Sequence, residues 1–103
     1  MIKLCVMYPA LEGARFDFDY YRNVHIPKVC ALLGDACKGV SIEQGMCGSN
    51  SRTPAAYVAM VGLLFASGGD FEAAFGPVAG EIMADLPNFT DIEPLVQINA
   101  ICS

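Results

Sequence analysis

No apolar run in this chain approaches the roughly 18 residues that a membrane-spanning helix needs, so no transmembrane helix is expected. Cations are scarce. Six Lys and Arg face eleven Asp and Glu, for a net charge of −5, and the six form no cluster. A nucleic-acid surface needs clustered Lys and Arg, so that class is set aside. Metal ligands are scarce too. Histidine occurs once, and the five cysteines (Cys5, Cys30, Cys37, Cys47 and Cys102) include no Cys-x-x-Cys pair. A structural zinc site needs closer spacing or histidine partners, so no metal is expected. No glycine-rich loop follows a strand and opens a helix, which leaves nucleotide phosphates without a cradle. The opening "MIKLCVMYPALEG" lacks a clear cleavage site and reads as a first strand. Without a secretory signal, an odd number of cysteines reads as free, buried thiols in a reducing cytoplasm.

Charge itself is in short supply, at 17% of residues, and what takes its place is apolar: 54% of the chain, with a mean hydropathy of +0.44. At 103 residues the chain is one domain, residues 1–103. So small a domain has too much surface to hide that much apolar matter. The expected outlet is a subunit interface, most simply a homodimer; the alternative is a monomer with a large apolar pocket.

The pattern along the chain predicts six elements. Ile2–Tyr8 alternates Ile2, Leu4 and Val6 against Lys3, Cys5 and Met7 and ends at Pro9, a strand. Asp17 is placed as an N-cap before a helix over Phe18–Leu33 that Gly34 ends. Lys38–Gln44 is a second strand. Tyr57–Phe65 is a third, apolar on both faces and so expected to be covered on both. Ser67–Asp70 resembles a capping box before a second helix over Phe71–Leu86. Its core stripe is Phe71, Phe75, Val78, Ile82 and Leu86, with a kink at Pro77. Glu93–Cys102 is the fourth strand. The order βαββαβ predicts an α+β, ferredoxin-like fold: a four-stranded antiparallel sheet with two helices on one face. Its other face would need a cover, which a second copy's sheet could supply.

"DYYRNVHIPKV", Asp19–Val29, puts the only histidine just before a proline inside a helix. Pro27 removes a backbone donor, disfavours helical geometry at Ile26 and frees the Asn23 carbonyl. The bend would aim His25 into a cavity. Phe18, Tyr21 and His25 share one face at i, i+3 and i+7. An imidazole among aromatic groups in a partly dry pocket can act as a general base near neutral pH. The plainer alternative is a core histidine bonded to a carbonyl, in a helix that kinks for packing. Tyr20 and Tyr21 could each donate a hydroxyl to a substrate oxygen, or simply pack. Being adjacent they diverge, and Tyr21 is preferred because it lies on the His25 face. The candidate catalytic residues are therefore His25 and Tyr21. Phe18, Tyr20 and Asp17 are the candidate ligand-binding residues, with the cap as the simpler role for Asp17. Asp91 and Glu93 read as hydrogen-bond anchors or rim charges. Arg22 is placed to pair with Asp19, and Gln97, Asn99 and Lys3 to form polar contacts between subunits.

"FDFDYYRNVHIPKV" and "LPNFTDIEPLVQI", together with "MIKLCVMYP" and "DFEAAFGPVAGEI", resemble the EthD family of the dimeric α+β barrel superfamily over essentially the whole chain. The spacing F-D-x-x-Y-Y-x-x-x-H-x-P is carried by Phe16, Asp17, Tyr20, Tyr21, His25 and Pro27. The resemblance implies a dimer in which each sheet closes half a barrel, with a pocket between sheet and helices. The family is named for a protein encoded with an ethyl tert-butyl ether degradation system. The superfamily includes cofactor-independent monooxygenases, a lactone isomerase, polyketide dehydratases and cyclases, and haem-binding enzymes. Many relatives carry a histidine in the second helix where this chain has Val78, which implies altered or absent catalysis here if that histidine takes part.

Two functions remain open at this level. One is an enzyme needing no cofactor, moving a proton with His25 on a small, apolar, oxygenated metabolite by isomerase, dehydratase, cyclase or oxygenase chemistry. The other is a non-catalytic module that holds a hydrophobic ligand or serves a partner oxygenase. Haem bound through His25 is a third, less supported reading.

Overall fold

The computed structural model describes all 103 residues. Four strands form one antiparallel sheet: β1 (Ile2–Pro9), β2 (Gly39–Gln44), β3 (Tyr57–Phe65) and β4 (Leu95–Ala100), in spatial order β2-β3-β1-β4. The helical segments are α1 (Phe18–Tyr20), α2 (Ile26–Leu33), α3 (Gly68–Phe75) and α4 (Ala79–Ala84). The βαββαβ order expected from the sequence is therefore the order found, with the helices on one sheet face. No helix is long and apolar enough to cross a membrane.

The register follows from side-chain alternation. Leu4 pairs with Leu63 and Ile98, and Val6 with Val61 and Val96. This puts Leu4, Tyr8, Ala59, Val61, Leu63 and Phe65 on the helix side, where each is at most 3% exposed. A one-residue slip would turn this whole set outward, so the core itself fixes the pairing. The opposite face carries Lys3, Cys5, Met7, Met60, Leu64 and Leu95, none of them fully buried. One chain thus covers only one face of β3, not both. Gly62, at the middle of that open face, leaves room for the Lys3 stem, which lies flat across it toward Ser41.

Several helix boundaries moved, each for a physical reason. Pro27 does not break the first helix. Ile26 keeps helical angles (φ −66°, ψ −42°), and Pro27 sits in the first turn of α2, where no backbone donor is needed. The adjustment lies one turn earlier, as a wide π-helical turn over Tyr21–His25 in which the Ile26 N–H donates to the Tyr21 carbonyl. Gly34 ends α2 as expected, at φ +61°. The second helix starts early, at Gly68, because the Ser67 hydroxyl accepts from the Asp70 N–H at 3.1 Å. Pro77 turns its middle into a 3₁₀ turn, Gly76–Val78, and α4 stops at Ala84. Of the expected core stripe only Ile82 is fully buried. Strand β4 is shorter than expected, because Pro94 precedes it and cannot donate to a ladder. Cys102 falls outside it. All five thiols are free, but they are less hidden than expected, since Cys47 and Cys102 are exposed and the other three half-buried.

Candidate functional site

The π turn determines the site. It places the Tyr21 and His25 rings face to face, 5.6 Å apart and 19° from parallel. Phe89, wholly buried, packs against both at 5.0 and 4.6 Å, and Tyr8 closes the cluster on Tyr21 at 5.6 Å. Tyr21 is fully buried and His25 is 3% exposed.

His25 has one hydrogen-bonding partner, and it comes from the other helical pair. Asp85, in the residue after α4, lies 2.8 Å from the imidazole through Oδ2 to Nδ1. Its Oδ1 accepts from the Tyr20 hydroxyl and from the Asn88 amide, both at 2.8 Å. Burial alone would push the Asp85 carboxyl up. The hydrogen bonds from His25, Asn88 and Tyr20 outweigh it and hold the group at about 2. An ionised Asp85 cannot donate, so Nδ1 carries the proton and donates to it. Burial in turn holds His25 below its ordinary value, against the opposing pull of Asp85, so the imidazole is neutral near pH 7. Nε2 is then the basic atom, and no protein group bonds it. The carboxylate fixes tautomer and ring orientation, as in other Asp–His pairs.

A cavity of about 70 Å³ adjoins this pair, between the sheet and the helices. Thirteen of its fifteen lining residues are hydrophobic, and no Lys, Arg, Asp or Glu lines it. The polar side-chain groups among them are the Tyr8 and Tyr21 hydroxyls and the His25 ring. Burial pushes Tyr8 up to about 12 and raises Tyr21 further, so both stay protonated. The Tyr8 hydroxyl lies close enough to act on Tyr21 by hydrogen bonding as well as by charge, but the contact falls short of full hydrogen-bond geometry. A buried hydroxyl without a partner is uncommon in a native fold. Met83 and Val96, 54% and 58% exposed, line the cavity where it meets solvent between α4 and the β4 edge.

The candidates from sequence separate into two groups. His25 and Tyr21 come together at the cavity. Tyr20 reaches round to the back of the site, where its Asp85 bond raises its hydroxyl above the ordinary range. Phe18 is half-buried and packs on Phe16 and Tyr21 at 5.1 and 6.1 Å without lining the cavity. Asp17 caps α1, accepting from the Tyr20 N–H at 3.1 Å. Asp91 anchors the Arg15 N–H at 2.8 Å, and Arg22 meets Asp19 at 3.8 Å on the surface. Val78 does not line the cavity.

Asp85 and Phe89 escaped the sequence reading. Asp85 did carry a signal: a carboxylate at a helix C-terminus opposes the helix dipole and calls for a compensating partner. No three His, Cys, Asp or Glu side chains converge to hold a metal ion. Haem does not fit either. The cavity is far too small for a porphyrin.

Residues 12–93 match the family model described as the EthD domain. Among solved structures, an EthD-like protein from Ralstonia eutropha JMP134 is 45% identical, with 99% of this chain and 92% of that one covered and a TM-score of 0.94. An ethyl tert-butyl ether D (EthD) family protein from Bacillus halodurans C-125 is 14% identical, over 98% of both chains, with a TM-score of 0.72. An Arabidopsis thaliana protein is 13% identical over 100% of this chain and 97% of that one, with a TM-score of 0.71. At such identities the last two show the fold alone. A search of curated proteins found no match.

Two outcomes follow from this geometry. Because the Tyr21 hydroxyl has no partner, Tyr21→Phe should leave stability unchanged or raise it by up to about 1 kcal/mol in urea unfolding. A loss of more than about 1 kcal/mol would show the hydroxyl to be bonded. Stability should also fall with acid in two windows. His25 takes up its proton less readily folded than unfolded, so stability is lost as pH drops below its ordinary 6.5. Asp85 adds a second loss as pH falls from 3.8 toward about 2. Thermal melts across this range should show the upper slope vanish in His25→Gln; an unchanged slope would refute the assignment.

Proposed function

We propose that this chain, which belongs to the EthD family, is an enzyme that moves a proton on a small, apolar, oxygenated metabolite held in the cavity between sheet and helices. The observation that carries this reading is the buried Asp85–His25 pair, with Nε2 left unbonded beside an apolar cavity. A neutral imidazole held in one tautomer by a carboxylate is a general base, and a dry surrounding strengthens every interaction it makes. His25 would take the proton and return it elsewhere on the same molecule. The Tyr21 ring, stacked on the imidazole, would hold its plane in place for that transfer. Isomerisation, dehydration and cyclisation need only such steps, and none needs a cofactor. Five unpaired thiols suit a reducing compartment, the cytoplasm.

One observation favours the second reading, a module that holds a hydrophobic ligand without reacting it. The cavity contains one base and no nucleophile–base pair. Proton exchange separates the two readings. In heavy water, a panel of small ketones, lactones and enols should include members whose acidic C–H positions exchange faster with protein than with buffer. His25→Gln should abolish this, and Asp85→Asn should slow it by about 10²- to 10⁴-fold. Binding of panel members with no exchange would establish the non-catalytic reading instead.

The open sheet face is read as the contact between two copies. Only 17 of 103 residues are buried in one chain, and on this face Leu95 is more than half exposed while Met7, Met60 and Leu64 are only half-buried. A homodimer accounts for the apolar excess that one copy leaves at its surface. Light scattering should give about twice the 11.0 kDa chain mass. The double change Met60→Glu, Leu64→Glu should give monomers. A wild-type monomer would overturn this assignment.

A further inference from the structure

We infer that Tyr20 is a positioning residue for His25, acting through Asp85, and that its hydroxyl sets the range of pH over which Nε2 is a free base. This deepens the proton-transfer reading and rests on it for its place in a reaction. The sequence puts Tyr20 among the ligand-binding candidates, but it lines no part of the cavity. Its hydroxyl donates instead to Oδ1 of Asp85 at 2.8 Å, while Oδ2 of the same carboxylate takes the His25 Nδ1–H at 2.8 Å. Tyr20 and His25 thus meet only through the carboxylate between them.

The direction of the Tyr20 bond follows from its neighbours. Asp85 is ionised and can only accept. The Asn88 amide donates to Oδ1 at 2.8 Å and faces the Tyr20 oxygen at 3.4 Å, so the hydroxyl proton has one acceptor to turn to. The Tyr20 ring stacks on Phe89, 6.2 Å away and 21° from parallel, which holds the hydroxyl in place. A hydrogen bond to a carboxylate stabilises its charge, and a charge so satisfied pulls less on a neighbouring proton. Each donor on Oδ1 therefore weakens the grip of Asp85 on a protonated imidazole. Tyr20 is half-buried and Asn88 exposed, so water replaces the amide more readily than the hydroxyl.

The other titratable groups around His25 do not touch this carboxylate. Tyr21 of the π turn lies against the ring and Tyr8 of β1 lies beyond Tyr21, and both keep their protons. Lys28 of α2 is an exposed cation that disfavours a second positive charge. Asp85 is the one acid within bonding distance of the imidazole. Without the Tyr20 hydroxyl, Asp85 keeps His25 and Asn88 as donors and stays ionised. Its pull on the Nδ1 proton grows, so the ring holds a second proton to higher pH. Nε2 is then occupied over part of the range in which it is otherwise free. The tautomer is unchanged, because Asp85 still takes the Nδ1–H. Asp85 decides which nitrogen is the base, and Tyr20 decides how strong a base it is.

His25 is the only histidine, so one labelled ring reports without ambiguity. The full chain would carry carbon-13 and nitrogen-15 histidine and be titrated by NMR with no ligand present. In Tyr20→Phe, which keeps the stacked ring, the midpoint should rise by about half a unit or more, roughly a three-fold gain in proton affinity, with Nδ1 still protonated in the neutral ring. With 3-fluorotyrosine in place of Tyr20, a stronger donor of nearly the same size, the midpoint should fall. If Tyr20→Phe does not fold, the fluorinated side chain carries the test by itself. An unmoved midpoint, or shifts of the same sign in both proteins, would overturn the inference. Proton exchange on the ketone panel separates it from its premise. A midpoint that moves together with the acid limb of the exchange rate upholds both. A midpoint that moves while no panel member exchanges leaves Tyr20 tuning His25 and brings down proton transfer. Exchange with an unmoved midpoint keeps proton transfer and reduces Tyr20 to packing.

Discussion

The hydrogen bond between His25 and Asp85 is the contact on which the rest of this site depends. It joins two buried groups sixty positions apart, one in the π turn and one at the end of α4. Neither is tenable alone. An unpaired buried carboxylate would be driven to take up a proton, and an unpaired imidazole would lack a defined tautomer. Tyr20 and Asn88 complete the arrangement by occupying the other carboxylate oxygen. The ionised state of Asp85 is thus secured by three donors from both helical pairs, and the tautomer of His25 is inherited from it.

Around that polar centre the packing is aromatic. Phe89 touches His25, Tyr21, Tyr20, Phe16 and Tyr8, with ring centroids between 4.6 and 6.2 Å. Rings in edge and tilted contact have few ways to rearrange, so the imidazole plane is set by its walls as well as by Asp85. The Thr90 hydroxyl accepts from the Ile92 N–H and donates to the Arg15 carbonyl, pinning the segment that carries Phe89 against the entry to the first helix. The site is therefore assembled from residues near both ends of the chain, on a sheet whose central strands β1 and β3 supply its apolar floor.

Much of this was legible in the sequence, and what was not has a common cause. β3 was placed to the residue, because nine apolar positions between a proline-containing loop and Ser67 leave little choice. Local spacing and the proline point to Tyr21 and His25, which lie together beside the cavity. They do not reach Asp85, because its meaning lies in a partner sixty residues away. The π turn was missed for a related reason. The sequence puts the strain at Pro27 itself, whereas the backbone absorbs it one turn earlier and keeps Ile26 helical. Local rules locate strain well; they do not say where the chain relieves it. The apolar sequence of β3 likewise calls for cover on both faces, and one chain supplies it on only one.

The wide turn at Tyr21–His25 has a consequence for how this protein can vary. A π turn holds one residue more than the α-helical turn it replaces. Deleting Arg22 or Asn23 within it would let the helix close up as a regular spiral, with better backbone bonding and the same hydrophobic residues available. It would also rotate the histidine out of line with its carboxylate. Length at this spot therefore carries information that residue identity does not. A substitution scan could pass over Arg22, Asn23 and Val24 almost silently, while an insertion or deletion one codon long would part His25 from Asp85.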